Sequence, residues 1–293
     1  MWTLPLPPVD GIDDHLTTAL TLASGQPAYA LSDVERAAVF AVYQAYDALL
    51  GQPGPALVPA ALLACRQHIE AGYDQLQIGK RLGYLRASLL AKTDCCPYCG
   101  FGEPTQLDHY LPKTHFGELA IYPRNLIPSC GPCNNAKRTI VPGVGPQAGL
   151  IHAYFQDLPD IVFMRAEIAF VDGALDVTFG IEVGLVPQPL EQMLQYQLVR
   201  LKLNTRYPKQ VNKFLSEQRT SILMFREMGA DPAMLARYFM RSARSLAENF
   251  GLNDWRPALL NALAENAAFC AEPEIYLGEH IPATAHEEGS VDT

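Results

Sequence analysis

The sequence predicts an α+β chain, mostly helical, in which a compact cysteine-rich module separates two helical regions and a β-hairpin follows on the C-terminal side. Three observations predict it. Apolar residues recur at helical spacing before residue 92 and again from Pro189 onward. Residues 93–140 lose that periodicity and hold four of the seven cysteines as two C-x2-C pairs. Two alternating segments flank Asp172-Gly173. The resulting division is a helical region with an irregular arm at 1–92, the module at 93–140, the hairpin and a second helical region at 141–280, and an acidic tail at 281–293.

The first thirty residues are punctuated by Pro and Gly and read as an arm with one short helix. Ser32 to Glu35, "SDVE", is a capping box, with the Ser hydroxyl on the N3 amide and the Glu reaching back. Val34, Ala38, Ala41, Val42, Ala45 and Leu49 then lie on one helical face, and "GQPGP" ends the helix. Two further helices are expected over 58–73 and 76–92. "VPGVGPQAG" reads as a linker after the module. "IVFMRAEIAF" and "ALDVTFGIEV" alternate around Asp-Gly, the signal for a hairpin with a type I′ turn. Beyond it, Leu190, Leu194, Leu198 and Leu201 form one apolar stripe, and Val211, Leu215, Ile222 and Phe225 another. Gly229 stops a helix, and Asp231 with Pro232 starts the next. The last dozen residues are acidic and expected to be disordered.

The chain has 293 residues, enough for a sizeable core. No apolar run approaches the roughly 18–20 residues of a membrane span. The opening "MWTLPLPPVD" has no basic n-region and is broken by prolines, so no signal peptide is expected and the cytoplasm is the expected compartment. Paired cysteines there more often bind metal than form disulfides. A net charge of −9 alone argues against a nucleic-acid partner. The charge is segregated, however. Between Lys80 and Arg138 eight bases face four acids, and between Arg200 and Arg244 ten bases face three. Local fields of this kind matter more than the sum.

Cys96 and Cys99 in "CPYCG" and Cys130 and Cys133 in "CGPC" are the C-x2-C pairs. Each presents two thiolates at one edge of a tetrahedron, so together they form a closed structural Zn2+ site. Cys95 adjoins the first pair and fits the C-x2-C geometry less well than Cys96. Cys65 and Cys270 read as buried helix thiols. Thirty residues separate the pairs, so something is built between them. They include "LDHYLPK", with Asp108 and His109, and "YPRNLIP", with Asn125; Asn134 follows the last cysteine directly.

This pattern, from "CPYCG" through "LDHYLPK" to "NLIPSCGPCNNAK", resembles the HNH nucleases and most closely their zinc-stapled HNN type, of which phage endonuclease VII is one. The resemblance covers about one sixth of the chain and implies a treble-clef, ββα-metal fold for the module. It implies that Asp108 and Asn134 ligate a catalytic Mg2+ or Mn2+, that His109 is the general base, and that Asn125 pins the loop orienting it. Asp108 should then face the motif's helix and His109 the substrate, since neighbouring strand residues point to opposite faces. A neutral imidazole can take a proton from water near pH 7, and oxygen ligands suit Mg2+. Lys113, Lys137 and Arg138 are the candidate phosphate contacts. His115 reads as a solvent-exposed loop histidine, and no motif claims His68 or His152.

The activity implied is metal-dependent hydrolysis of DNA phosphodiester bonds. Two alternatives stand beside it: a zinc module that binds nucleic acid or protein without cutting, and an RNA-cleaving effector. Standalone HNH chains with extra helices also resemble antiphage effectors such as the HNH subunit of Septu, which works with an ATPase. This chain has no P-loop, so a nucleotide-driven step would need that partner.

Overall fold

The computed structural model describes residues 3–143, 149–171 and 174–277. The arm contributes α1 (Ile12–Ala19), which buries Leu16 and Ala19. Helix α2 (Asp33–Ala48) carries the expected capping box: Ser32 Oγ accepts from the Glu35 amide, and the Glu35 carboxylate accepts from the Ser32 amide at 2.9 Å. It buries Val39, Val42, Tyr43 and Tyr46 along one face.

The next two segments differ from expectation. Residues 58–73 do not form one helix. Short 3-10 turns at Pro55–Leu57 and Ala60–Leu62 lead into α3 (Arg66–Gly72), and a further turn covers Tyr73–Leu76. Pro55 and Pro59 start the first two turns, where their missing amide costs nothing. Leu57, Leu62, Cys65 and Ile69 are still fully buried; successive short turns therefore produced a stripe that imitates a continuous helix. Over 76–92 only α4 (Gly83–Leu90) is helical. Residues 77–82 loop back, closed by the Leu82 amide on Gln75 O at 2.8 Å, and they bury Leu76 and Leu82 while exposing Ile78.

In the module, β1 (Gln106–His109) pairs antiparallel with β2 (Leu126–Ser129), Asp108 opposite Ile127 and His109 opposite Leu126. Helix α5 (Gly131–Lys137) starts at the second cysteine pair and packs on β1. The hairpin is present as β3 (Met164–Val171) and β4 (Ala174–Ile181), with Val171 opposite Ala174. Its Asp172-Gly173 turn, the middle of the linker (144–148) and the acidic tail lie outside the described residues.

Five pieces of the C-terminal region, α6 (Gln188–Arg200), α7 (Leu203–Glu227), α8 (Pro232–Phe250), α9 (Trp255–Glu265) and α10 (Ala267–Ala271), are followed by α11 (Pro273–Leu277). As expected, Asp231 caps α8, accepting from the Met234 amide at 2.8 Å, with Pro232 in the first turn. One apolar core runs through the N-terminal helices, the module and the C-terminal helices. The module is thus set inside the molecule. No described helix is long and apolar enough to cross a membrane.

Candidate functional site

The cysteine knot closes as the spacing requires. The four Sγ atoms of Cys96, Cys99, Cys130 and Cys133 lie within 4.8 Å of one another, and all four residues are buried. Cys99 Sγ and Cys130 Sγ are 3.9 Å apart; a tetrahedron with Zn–S near 2.3 Å has an edge of about 3.8 Å. A donor set of four thiolates, with no oxygen among it, suits zinc. The loop is shaped around the sulfurs: a Cβ at Gly102 would stand 2.7 Å from Cys130 Sγ, and the Gly102 amide donates to Cys99 Sγ at 3.3 Å. Arg206 of α7 donates to Cys133 Sγ at 3.3 Å and Cys130 Sγ at 3.7 Å, while its guanidinium lies 4.9 Å from the Phe101 ring centre. With a Zn2+ in the knot, it would offset part of the negative charge that four thiolates leave.

The two residues of the Asp-His pair diverge as strand geometry demands. Asp108 turns towards α5 and is 1% exposed. Its Oδ1 accepts from Lys137 Nζ at 3.1 Å and its Oδ2 from Tyr98 Oη at 2.8 Å. Burial pushes its carboxyl above the usual carboxylate range, against the opposing pull of Lys137 and Tyr98. Lys137 Nζ also donates to His109 O at 2.6 Å. Instead of standing on the surface to meet phosphate, Lys137 is buried on the acid. Gln106 lies on the same face of β1 as Asp108, and its Oε1 accepts from Asn134 Nδ2 at 2.8 Å. The Asn134 amide is thereby held with its oxygen turned away from Gln106. Both Asp108 oxygens are thus taken within the protein, by Lys137 and Tyr98, and the Asn134 amide is tied to Gln106; a carboxylate and an amide oxygen are the donor types a hard divalent cation takes. Such an ion would share Asp108 with the Lys137 ammonium or displace it.

His109 faces the other way and is half-buried. Its Nε2 lies 2.9 Å from Ala120 O. A carbonyl can only accept, so the proton of the neutral ring is on Nε2 and the lone pair is on Nδ1. Burial, with the nearby Lys113 and Lys137 charges, lowers the imidazole pKa to about 4, outweighing the Ala120 hydrogen bond. The ring is therefore a free base at neutral pH. Tyr73 packs edge-on against it at 4.4 Å between ring centres and donates its hydroxyl to Leu107 O at 3.2 Å.

Asn125, fully buried, fixes the intervening loop. Its Oδ1 accepts from the Leu111 amide at 2.8 Å, and its Nδ2 donates to Leu111 O at 3.0 Å and Leu119 O at 3.3 Å. Lys113 pairs with Glu70 at 3.3 Å, with its ammonium 6.0 Å from the Tyr73 ring centre. Arg138 and His115 are exposed.

Several residues beside the site carried no motif. Tyr98 was hidden inside "CPYCG". Gln106 was recoverable from the period-2 pattern, two residues before Asp108. Tyr73 and Arg206 reach the site only through tertiary packing and left no local signal.

Residues 96–139 match the family described as HNH endonuclease. Over 202 residues the chain is 27% identical to protein ea31 of Escherichia phage lambda, covering 64% of this chain and 67% of that one. No solved structure shows a significant match. At 96–139, then, the chain carries a domain of the HNH endonuclease family, stapled by a four-cysteine knot suited to zinc.

Proposed function

We propose that the chain is a divalent-metal-dependent endonuclease that hydrolyses DNA phosphodiester bonds in the cytoplasm. The observation that carries the reading is the orientation of His109: its Nε2 proton is committed to Ala120 O, which leaves Nδ1 unprotonated and ready to accept a proton from water. Asp108 and Asn134 would hold the Mg2+ or Mn2+, which supplies charge neutralisation at the phosphate and at the leaving oxygen. His109 takes the proton of the attacking water at Nδ1. Asn125 holds the loop whose Ala120 carbonyl keeps the imidazole in that tautomer. The exposed Arg138, and Lys113 on leaving Glu70, would supply the phosphate contacts, and Lys137 holds Asp108 through its ammonium.

The test is nicking of supercoiled plasmid with Mg2+ or Mn2+ by the parent chain and by His109→Ala. Loss of a general base costs on the order of 10²–10⁴ in rate, so the variant should be inert on the timescale of parental nicking. Equal cleavage by both would remove His109 from the role. A non-catalytic zinc module draws support from the sealed, doubly bonded Asp108, and it predicts tight plasmid binding with no nicking under either metal. An RNA substrate in the same assay decides between nucleic acids, and addition of an ATPase of the Septu kind tests the need for a partner.

A further inference from the structure

Behind Asn125 lies a hydrogen-bonded chain that the HNH pattern does not contain. The Tyr154 amide donates to His152 Nδ1 at 3.1 Å, so this nitrogen carries the lone pair. The His152 proton is then on Nε2, 2.9 Å from Tyr46 Oη, which accepts it. The Tyr46 hydroxyl proton is left to point at Asn125 Oδ1, 3.0 Å away. Asn125 in turn holds Leu111 O and Leu119 O, and the next carbonyl, Ala120 O, receives His109 Nε2. Arg124 O, 3.4 Å from Tyr46 Oη, is a second and longer acceptor for that hydroxyl, so Asn125 Oδ1 at 3.0 Å is the better placed of the two.

The chain is built from distant parts of the sequence. Tyr46 comes from α2, and His152 follows the linker, so both lie outside 96–139. Tyr46 and Asn125 are fully buried and His152 is 1% exposed. The N-terminal region is moulded to the imidazole. A Cβ at Gly51 would stand 2.3 Å from His152 Cδ2, and Gly51 has a φ of +76°, so glycine alone fits there. The His152 ring lies 4.1 Å from that of Tyr110, the residue following His109.

We propose that Tyr46 and His152 are positioning residues of the His109 site, acting through Asn125 on the loop that presents the Ala120 carbonyl. The proposal rests on reading His109 as the general base. Of the two donors on Asn125 Oδ1, the Leu111 amide belongs to the loop being held, and Tyr46 is the anchor outside it. Other anchors hold the loop elsewhere, Arg66 on His115 O and Glu118, and Asp47 on Tyr122 and Arg124, but Tyr46 is the side chain outside the loop that bonds the Asn125 amide. Without that bond the Ala120 carbonyl can drift, and with it the tautomer and aim of His109. His152 sets the hydroxyl of Tyr46 by occupying its acceptor side.

The experiment compares wild type with Tyr46→Phe, His152→Phe and His152→Gln. Steady-state nicking, thermal melting and ¹⁵N-histidine NMR at pH 7.5 are measured on each full chain. Tyr46→Phe keeps the buried ring and should lower kcat about tenfold, the scale of a small displacement of a reacting group, with KM within twofold. The His109 ¹⁵N signals should pass from a bare Nδ1 and protonated Nε2 to a tautomer mixture. His152→Phe should show the same change at about threefold, and His152→Gln, which restores a donor to Tyr46, should recover it. Wild-type kcat with unchanged His109 signals in Tyr46→Phe and His152→Phe overturns the proposal. If Tyr46→Phe fails to fold, the His152 pair decides by the same criteria. Should wild type prove inert with both metals, the nuclease reading fails separately, and the His109 signals alone decide whether this chain positions the ring.

Discussion

The module is braced differently at its two ends. At the knot, the C-terminal region supplies charge: Arg206 reaches two of the thiolates, and Arg256 donates to Gly100 O at 3.3 Å. Gln197 of α6 adds a neutral bond to Tyr98 O at 3.0 Å. At the other end, the N-terminal region meets the residues around His109 with neutral, directional bonds, Tyr46 on Asn125 Oδ1 and Tyr73 on Leu107 O, and ties the rest of the loop with charged groups, Asp47 to Tyr122 and Arg124, Arg66 to Glu118 and Glu70 to Lys113. The difference follows from what each end holds. Four thiolates around a dication leave net negative charge, which a guanidinium offsets. The His109 imidazole is aimed by the Ala120 carbonyl and the Tyr73 ring, while burial and the nearby Lys113 and Lys137 cations keep it uncharged. The knot end secures the frame, and the loop end sets the aim of one ring.

The largest way to break this arrangement is at the knot. Cys130→Ser should abolish the folded module, because structural zinc contributes about 10–16 kcal/mol where a whole domain has about 5–15 kcal/mol of net stability. Loss of zinc by metal analysis and loss of the cooperative melt are the expected readings. A zinc-free variant that melts like the parent would show the four cysteines to be an ordinary buried cluster.

A smaller effect belongs to the loop end. Burial lowers the His152 pKa to about 3, with the Lys137 charge adding to the shift. Unfolded, its pKa is near 6.5. The folded state therefore binds fewer protons, and the stability this group contributes is intact above pH 6.5 and lost as pH falls towards 3. Between pH 7 and 5 the loss is about 2 kcal/mol. His152→Asn, whose amide oxygen can still accept from the Tyr154 amide, should remove that part of the slope in urea melts. An unchanged slope would mean that His152 is not held neutral in the folded chain.

The same contrast shows what the sequence could reveal. The cysteine pairs were legible because their spacing is local and thiolates have a narrow chemistry; Asp108, His109, Asn125 and Asn134 were singled out by the resemblance to the HNH pattern. The β3–β4 hairpin was legible from two alternating segments around an Asp-Gly pair. Helix 58–73 was misread because 3-10 turns set apolar residues at nearly helical intervals. Lys137 was read as a phosphate contact, and the structure buries it on Asp108. Its place on α5, one turn after Asn134 on the face turned to β1, meant that it would meet Asp108. Tyr46 and His152 could not be found by spacing, since they meet Asn125 only after the N-terminal helices and the post-linker segment close around the module.

The division between the two ends is tested most directly by measuring zinc content and kcat together in Arg206→Met and Tyr46→Phe. Arg206→Met should lose zinc to a competing chelator more readily than the parent, yet keep parental kcat when saturated with zinc. Tyr46→Phe should hold zinc like the parent and lose about tenfold in kcat. If both variants lost zinc and turnover in parallel, the two ends would be one cooperative unit, and the separate roles assigned to them would be wrong.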